Sequence, residues 1–367
     1  MKKKKALFVV NSLSDGGAER VCINMANELV RERYQVDFIL LGKNNINNKT
    51  YDINKEINIY NLNINTSNKI SKILKILTSI IKTNRIIKEN EKDSKYQLIT
   101  SHLPMANILT RLSCIKNRAL YVFHTKVSSY DKINHRLFLL FFNFIYKNKK
   151  IVAVSEGVRQ ETIKEYKIKE ENITTIYNPI NLEEIEKKSK DKIPEIGKYI
   201  LQVGRFNKAK RQDRMVDVFF KGRLYKKYKL VFCGTGELEE DIKNKVNNMG
   251  ISDYVFFMGW QDNVYKWIKN AEVLVSTSDY EAFPMNLIEA IICRTKVVSS
   301  NCKFGPNEIL LDDYSKFLVE TDNVDEYIEK INMCLSSYPT TQNPIIEKCI
   351  ASNIIEEYLM FMNKERK

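Results

Sequence analysis

Val273-Leu274-Val275-Ser276-Thr277-Ser278-Asp279-Tyr280-Glu281-Ala282-Phe283-Pro284-Met285-Asn286-Leu287-Ile288-Glu289-Ala290 is the stretch whose reading decides the fold. It reads as a strand at Val273–Ser276, a loop that carries Glu281, and a helix that carries Glu289 about two turns in. The same alternation runs along the whole chain. Short β-rich runs at Ala6–Val10, Val36–Leu41, Leu98–Ser101, Leu120–Phe123 and Ile151–Val154 are separated by longer helical patterns. A second series follows at Tyr199–Val203, Lys229–Cys233, Val255–Met258 and Lys296–Ser299. This predicts an α/β chain of two Rossmann-like, doubly wound domains facing a central cleft.

The 367 residues suit two such domains. The join falls near Tyr177-Asn178-Pro179, where the residue before proline is driven to extended geometry and a charged stretch follows up to Gly197. The expected domains are residues 1–185 and 186–351. The amphipathic stretch Ile354 to Met362, after Pro344, predicts a C-terminal helix over 352–365 that packs back on the first domain.

The formal net charge is +14, and it is unevenly spread. Residues 1–190 hold 34 basic and 19 acidic side chains, whereas residues 191–367 hold 25 and 26. A basic half points to an anionic partner, whether a membrane surface, a phosphorylated lipid or a nucleic acid, with a lysine-rich soluble surface as the plain alternative. Asn68 to Lys88 combines Ile and Leu with Lys69, Lys72, Lys75, Lys82, Arg85 and Lys88 and has no acidic residue. It reads equally as a helix lying on anionic lipid or as a core-facing helix with a basic outer face.

Seven cysteines form no Cys-x-x-Cys pair, which suits reduced thiols in the cytoplasm. His102, His124 and His135 lack metal-ligand spacing, arguing against zinc. The apolar run Ala6–Val10 is too short for a signal peptide, and Leu137–Tyr146 falls short of the ~18 residues of a membrane span.

Three constellations carry chemistry. Gly16-Gly17 follow the first strand and open a helix, where a phosphate or sugar can approach the backbone; a tight turn with positive φ explains them as well. Arg205 and Lys210 follow the Tyr199–Val203 strand and could converge on one diphosphate. Glu281 could accept hydrogen bonds from sugar hydroxyls and Glu289 from a ribose, with the helix N–H groups of Met285, Asn286 and Leu287 between them to meet a phosphate. Spacing alone leaves these two carboxylates undecided against a pair of solvated glutamates.

The set Gly16-Gly17-Ala18-Glu19-Arg20, Val152-Ala153-Val154-Ser155-Glu156, Ile176-Tyr177-Asn178-Pro179-Ile180, Val203-Gly204-Arg205 with Lys210, Gly234-Thr235-Gly236-Glu237, and Glu281-x7-Glu289 resembles family 4 glycosyltransferases of the GT-B fold over residues 6 to about 310. The resemblance implies a retaining enzyme that uses a nucleotide sugar without a metal or other cofactor. It implies that Arg205 and Lys210 hold the donor diphosphate, Glu289 the ribose and Glu281 the sugar. It places Gly16 and Gly17 on the acceptor side, and His124, after the Leu120–Phe123 strand, as a catalytic histidine. The family usually has Gly where this chain has Ala282 and Arg211, and often Gly-x-Pro where it has Arg294-Thr295-Lys296.

The Asn301-Cys302-Lys303-Phe304-Gly305-Pro306-Asn307-Glu308-Ile309-Leu310 segment resembles enzymes that extend bacterial lipid-linked oligosaccharides with N-acetylhexosamines from UDP donors. The expectation is therefore transfer of an N-acetylhexosamine or hexose from a UDP-sugar to a lipid-linked or polysaccharide acceptor. The enzyme would work at the inner face of the cytoplasmic membrane, against anionic lipid, with no nucleic acid as partner. A UDP-N-acetylglucosamine 2-epimerase shares the architecture and would need no acceptor. An NAD-dependent enzyme is disfavoured because Glu239 stands where the third glycine of the dinucleotide fingerprint would be.

Overall fold

The computed structural model describes residues 3–13, 16–42, 53–64, 69–124, 135–339 and 343–364, with only the backbone course of 69–74 and 135–137. Asp15, at the head of the first glycine motif, and Asn68, at the start of the basic helix, lie outside the described residues.

The chain forms two compact units, Met1–Ile180 with Cys349–Lys367, and Asn181–Lys348. In the first, the order is β1 (Lys5–Val10), α1 (Gly17–Arg31), β2 (Gln35–Leu40), β3 (Asn58–Asn61), α2 (Lys69–Asn90), β4 (Leu98–His102), α3 (Pro104–Leu112), β5 (Leu120–Phe123), α4 (His135–Tyr146), β6 (Lys150–Ala153), α5 (Glu156–Tyr166) and β7 (Ile173–Thr175). The second unit runs α6 (Leu182–Lys188), β8 (Tyr199–Val203), α7 (Gln212–Lys221), β9 (Lys229–Cys233), α8 (Glu239–Asn248), β10 (Val255–Phe257), α9 (Tyr265–Asn270), β11 (Val273–Ser276), α10 (Met285–Ile292), β12 (Lys296–Ser300), α11 (Pro306–Ile309), β13 (Leu318–Val319), α12 (Val324–Ser336) and α13 (Ile345–Lys348). Helix α14 (Ala351–Asn363) returns to the first unit.

Each unit is built on one parallel sheet. The orders are β3-β2-β1-β4-β5-β6-β7 and β10-β9-β8-β11-β12-β13, so the winding reverses between β1 and β4 and again between β8 and β11. A crevice opens beyond the carboxyl ends of the strands at such a reversal, and it is where ligands bind in doubly wound folds. Strands β1 and β11 are buried at every residue, because helices cover both faces of a parallel sheet. The short strands β3, β7 and β13, which the apolar pattern does not announce, complete the sheets at or next to their edges.

The first unit ends at Ile180 rather than at 185, because α6 packs on α9 and α10 of the second unit. The return begins at Cys349, whose carbonyl accepts the Ile180 amide at 2.8 Å, and Ile180 bridges Ile350. Helix α14 buries Ile354, Ile355, Tyr358 and Phe361 and packs on α1. Its last carbonyls are capped by the Lys150 ammonium, which donates to Phe361 O at 2.9 Å and Met362 O at 2.7 Å. A cation there also complements the helix dipole.

Two of the departures from the family pattern have a backbone meaning. Arg211 (φ 48°) and Arg294 (φ 59°) both lie in the left-handed region that glycine enters freely. Arg294 ends α10 in an exposed position where its amide meets Ile291 O, and Thr295 N reaches back to Ala290 O at 2.8 Å. Arg211 instead uses its side chain: its guanidinium pairs with Asp213 at 2.9 Å and Asp279 at 3.1 Å. Replacing Arg294→Gly should therefore raise stability by about 1 kcal/mol in urea unfolding. Arg211→Gly relieves the same backbone strain yet should give no gain, because Asp213 loses its guanidinium partner and Asp279 one of its two.

Candidate active site

In the second unit the predicted residues gather where β8 and β11 part. After β8 the chain turns at Gly204, and Asn207 Oδ1 accepts the amides of Ala209 and Lys210, both at 3.1 Å. Gln202 Nε2 donates to Lys210 O at 3.0 Å and Thr277 Oγ1 at 3.1 Å, tying this loop to the one that follows β11. The Lys210 ammonium meets Glu281 Oε1 at 2.5 Å, and Ser278 Oγ donates to the same oxygen at 2.6 Å. The Lys210 stem lies 3.5 Å from where a β-carbon on Gly204 would stand. A cation and a carboxylate from loops 71 residues apart are thus locked together.

The Glu281 loop is itself clamped. Arg214, almost wholly buried on α7, donates to Thr277 O at 2.6 Å and to Asp279 Oδ1 at 2.7 Å, and it also pairs with Asp322. On the other side, a β-carbon at Gly305 would come within 2.6 Å of Pro284 Cδ and 2.9 Å of Ala282 O, so only glycine lets that segment approach. Ala282 itself takes no positive φ, and its methyl group brings no backbone strain. Gly234 and Gly236 back the Arg205 loop in the same way: a β-carbon on Gly234 would stand 2.1 Å from Gly204 O.

Arg205 differs from Lys210. Its side chain is exposed and, among the described residues, makes no hydrogen bond or ion pair. Of the helix amides expected to face a phosphate, that of Leu287 is taken by Pro284 O at 3.2 Å, because the first turn of α10 tightens after proline. Met285 and Asn286 stay at a helix start that no side chain caps. The Asn286 side chain donates to Val203 O at 3.1 Å while its buried Oδ1 has no partner among the described residues. Glu289 is the fifth residue of α10, just over one turn in rather than two, since the helix starts only at Met285. It is 5% exposed. Burial first, and the Glu289 charge second, push the Cys293 thiol up to about 12.

In the first unit, Gly16 caps α1 with φ −117°, so the positive-φ explanation of this motif fails. Its lack of a side chain serves close approach: a β-carbon there would stand 2.0 Å from Glu19 Oε2. The Glu19 carboxylate lies against the helix N-terminus, where the dipole favours an anion. Gly17 faces open space.

His124, just past β5, is half-buried, and its Nε2 lies 2.7 Å from Nδ1 of His102 at the end of β4. Burial lowers the His124 pKa to about 4 and holds that of His102 well below the ordinary value. Cys22 of α1 offers a third donor atom within 4.8 Å, a geometry that could hold a metal ion. Its thiol, however, is pushed well up by burial and by Glu19, and the two facing ring nitrogens are already bonded to each other. His102 and Ser278 are the site residues that sequence reading passed over. His102 ends a predicted strand at its carboxyl edge, which was the available signal; Ser278 gave none.

Residues 15–184 match the family described as Glycosyltransferase Family 4, and residues 183–348 the one described as Glycosyl transferases group 1. An uncharacterised glycosyltransferase of Haemophilus influenzae is 26% identical over 91% of this chain and 91% of its own. An N-acetylgalactosamine-N,N'-diacetylbacillosaminyl-diphospho-undecaprenol 4-alpha-N-acetylgalactosaminyltransferase of Campylobacter jejuni is 26% identical over 91% and 90%. The crystal structure of Anabaena HepE in complex with UDP and glucose superposes with a TM-score of 0.71 at 16% identity, covering 98% and 97% of the two chains, a likeness of fold.

Lys210→Met and Glu281→Gln should each destabilise the second unit, and the double variant should cost less than their sum. A coupling of about 1–3 kcal/mol is expected from a double-mutant cycle in urea. Because burial lowers the pKa of folded His124 to about 4, below the ordinary histidine value of about 6.5, its contribution is full above pH 6.5 and lost as the pH falls toward 4. Unfolding at pH 7 and pH 5 should show this loss, reduced in His124→Phe.

Proposed function

The chain belongs to the glycosyltransferases, with a family 4 and a group 1 domain, and from that we propose that it moves a sugar from UDP to a lipid-linked or polysaccharide acceptor of a bacterial surface glycan, with retention. The carrying observation is the Lys210–Glu281 pair at the reversal of the second sheet, with Arg205 on the same loop as Lys210 and, among the described residues, without a partner. The costly event in such a reaction is charge appearing on the departing diphosphate. Arg205 is free to fork onto it, and Lys210 is already held in place beside it by Glu281 and Asn207. The uncapped start of α10 at Met285 and Asn286 adds two oriented N–H groups. With these cations doing the charge work, the enzyme needs no metal or other cofactor. Glu281 faces the sugar and Glu289 the ribose.

UDP as the nucleotide draws support from the HepE complex, and the lipid-linked acceptor from the Campylobacter relative. An N-acetylhexosamine is the donor sugar that this relative favours. The epimerase alternative finds no support in these comparisons.

The enzyme works at the inner face of the cytoplasmic membrane. No helix among the described residues is long and apolar enough to cross a membrane. Support for attachment comes from α2, α3 and α4, which pack side by side. Helix α2 turns small polar Ser79 and Thr83, with Ile87, inward, and presents Leu77 and Ile81 to solvent beside Lys82, Arg85 and Lys88. Ile81 is 68% exposed. Helix α4 adds exposed Leu140, Phe141 and Phe144, and the Arg111 guanidinium of α3 sits 5.3 Å over the Phe144 ring. Apolar side chains flanked by cations, with no acidic residue in α3 or α4, suit anionic lipid.

UDP and its sugars should raise the melting temperature where GDP and ADP do not. Glu289→Ala should lose that response, whereas Glu281→Ala should keep it and transfer sugar at least about 100-fold more slowly, the scale of one lost transition-state contact. Parent rates in both variants would reject the assignment. Ile81→Glu with Phe144→Glu should abolish co-sedimentation with anionic but not change the soluble fold; sedimentation that ignores lipid charge would reject membrane docking.

A further inference from the structure

The histidine pair of the first unit holds more information than the position of His124. His102 is wholly buried, and its Nε2 has no hydrogen-bond partner among the described residues. Its Nδ1 faces His124 Nε2 at 2.7 Å, the two rings inclined by 27°. Exactly one proton lies between those nitrogens if both rings are neutral, and two placements are open. With the proton on His124 Nε2, the His102 proton must sit on its own Nε2, as a buried N–H with nothing to receive it. With the proton on His102 Nδ1, the orphan Nε2 is only a bare lone pair. Buried N–H groups are almost never left without an acceptor, whereas lone pairs are under-used more often.

We infer that His102 is a positioning residue: its Nδ1–H donates to His124 Nε2 and thereby fixes the proton of His124 on Nδ1, making His124 a neutral hydrogen-bond donor toward its ligand and not a proton-abstracting base. Burial disfavours a charge on either ring, and among the described residues no carboxylate pairs with them. The groups facing them are Phe8 of β1, whose ring stacks 6.1 Å from His102, and the Cys22 thiol of α1, with Glu19 one turn before it. Burial alone accounts for the lowered pKa of His124, and burial with the neighbouring ring for that of His102.

The backbone holds the arrangement under strain. Leu103, directly after His102, has φ 74° and ψ 151°, a region reserved for glycine, before Pro104 opens α3. A bulky residue persists there only where the surroundings over-determine it, and such strain gathers at functional sites. A ring N–H is the partner for an oxygen lone pair, such as that of a sugar hydroxyl or phosphate. That use rests on the transferase reading above; the tautomer does not.

The chain has only three histidines, so a protein labelled with 15N-histidine gives resolvable long-range 1H–15N correlations, assigned through His135→Gln. His102 and His124 should both show the Nδ1–H pattern at pH 7 and keep it unprotonated to pH 5. In His102→Phe, His124 should shift toward the Nε2–H form that free imidazole prefers. His102→Asn, whose amide can donate from a similar place, should restore the Nδ1–H form. In a transfer assay with a UDP-sugar, His102→Phe should lower kcat with little change in donor KM, and Asn should recover it in part. An Nε2–H signal for His124 in the parent, or a His124 tautomer indifferent to His102→Phe in a variant that melts like the parent, overturns the inference. So does a cobalt–thiolate absorption band on titration with Co2+, which would make Cys22 and the two rings metal ligands. If the tautomers follow the expectation and no UDP-sugar is used, the positioning stands and the transferase reading fails.

Discussion

The ion pair between Lys210 and Glu281 is the contact on which the second unit's site depends. It joins the loop after β8 to the loop after β11, the two strands between which the sheet reverses its winding. A parallel sheet leaves a crevice there, and two loops leaving neighbouring strands need something to hold them at a fixed separation. Asn207, Gln202, Ser278 and Arg214 all serve that end, each bonding a backbone or carboxylate atom of one of these loops. The pair is partly screened from water, with side chains 25% and 10% exposed, so it is stronger than a surface bridge and costly to break on one side only. A lysine anchored in this way is ordered in advance of any ligand, whereas the exposed Arg205 side chain has no hydrogen-bond or ion-pair partner among the described residues. The arrangement combines one pre-organised cation with one adaptable one.

The first unit repeats the topology with different chemistry. Gly16 and His124 follow β1 and β5 and His102 ends β4, at the carboxyl ends around its own reversal. Here the held pair is two imidazoles that share one hydrogen bond, and burial lowers the pKa of both. The anion-attracting start of α1 is partly answered by Glu19 of the same helix. The two halves thus differ in the groups held at these strand ends, a lysine–carboxylate pair in one and an imidazole pair in the other. The excess of basic residues in the first half lies elsewhere, in part beside the exposed Leu77, Ile81, Leu140, Phe141 and Phe144 of α2 and α4.

Much of this was legible in the sequence. The central strands are unbroken apolar runs because both faces of a parallel sheet are buried, and nearly all of them could be read from that pattern. β3, β7 and β13 could not, since short strands at or near an edge carry mixed, partly exposed residues such as Asn58-Ile59-Tyr60-Asn61. Arg205, Lys210, Glu281 and Glu289 could be named as candidates from the sequence, yet the bond between Lys210 and Glu281 could not, because no local spacing links residues 71 apart. The departures at Arg211 and Arg294 looked like simple losses of glycine; only φ shows that arginine has taken up the left-handed conformation. His102 was passed over because a lone histidine ending a buried strand looks like packing until its neighbour is seen. The domain boundary shifted to Ile180 for a similar reason: α6 is assigned by what it touches, which its own sequence does not state.

The most direct measurement of the central claim is calorimetric binding of UDP to the intact protein and to Arg205→Ala and Lys210→Met, at low and at physiological salt. Loss of a charge-assisted contact of about 1.5–3 kcal/mol predicts roughly 10- to 100-fold weaker binding for each variant, with a smaller salt dependence than the parent. UDP binding of equal strength and equal salt dependence in all three proteins would contradict a donor site built on the β8 and β11 loops.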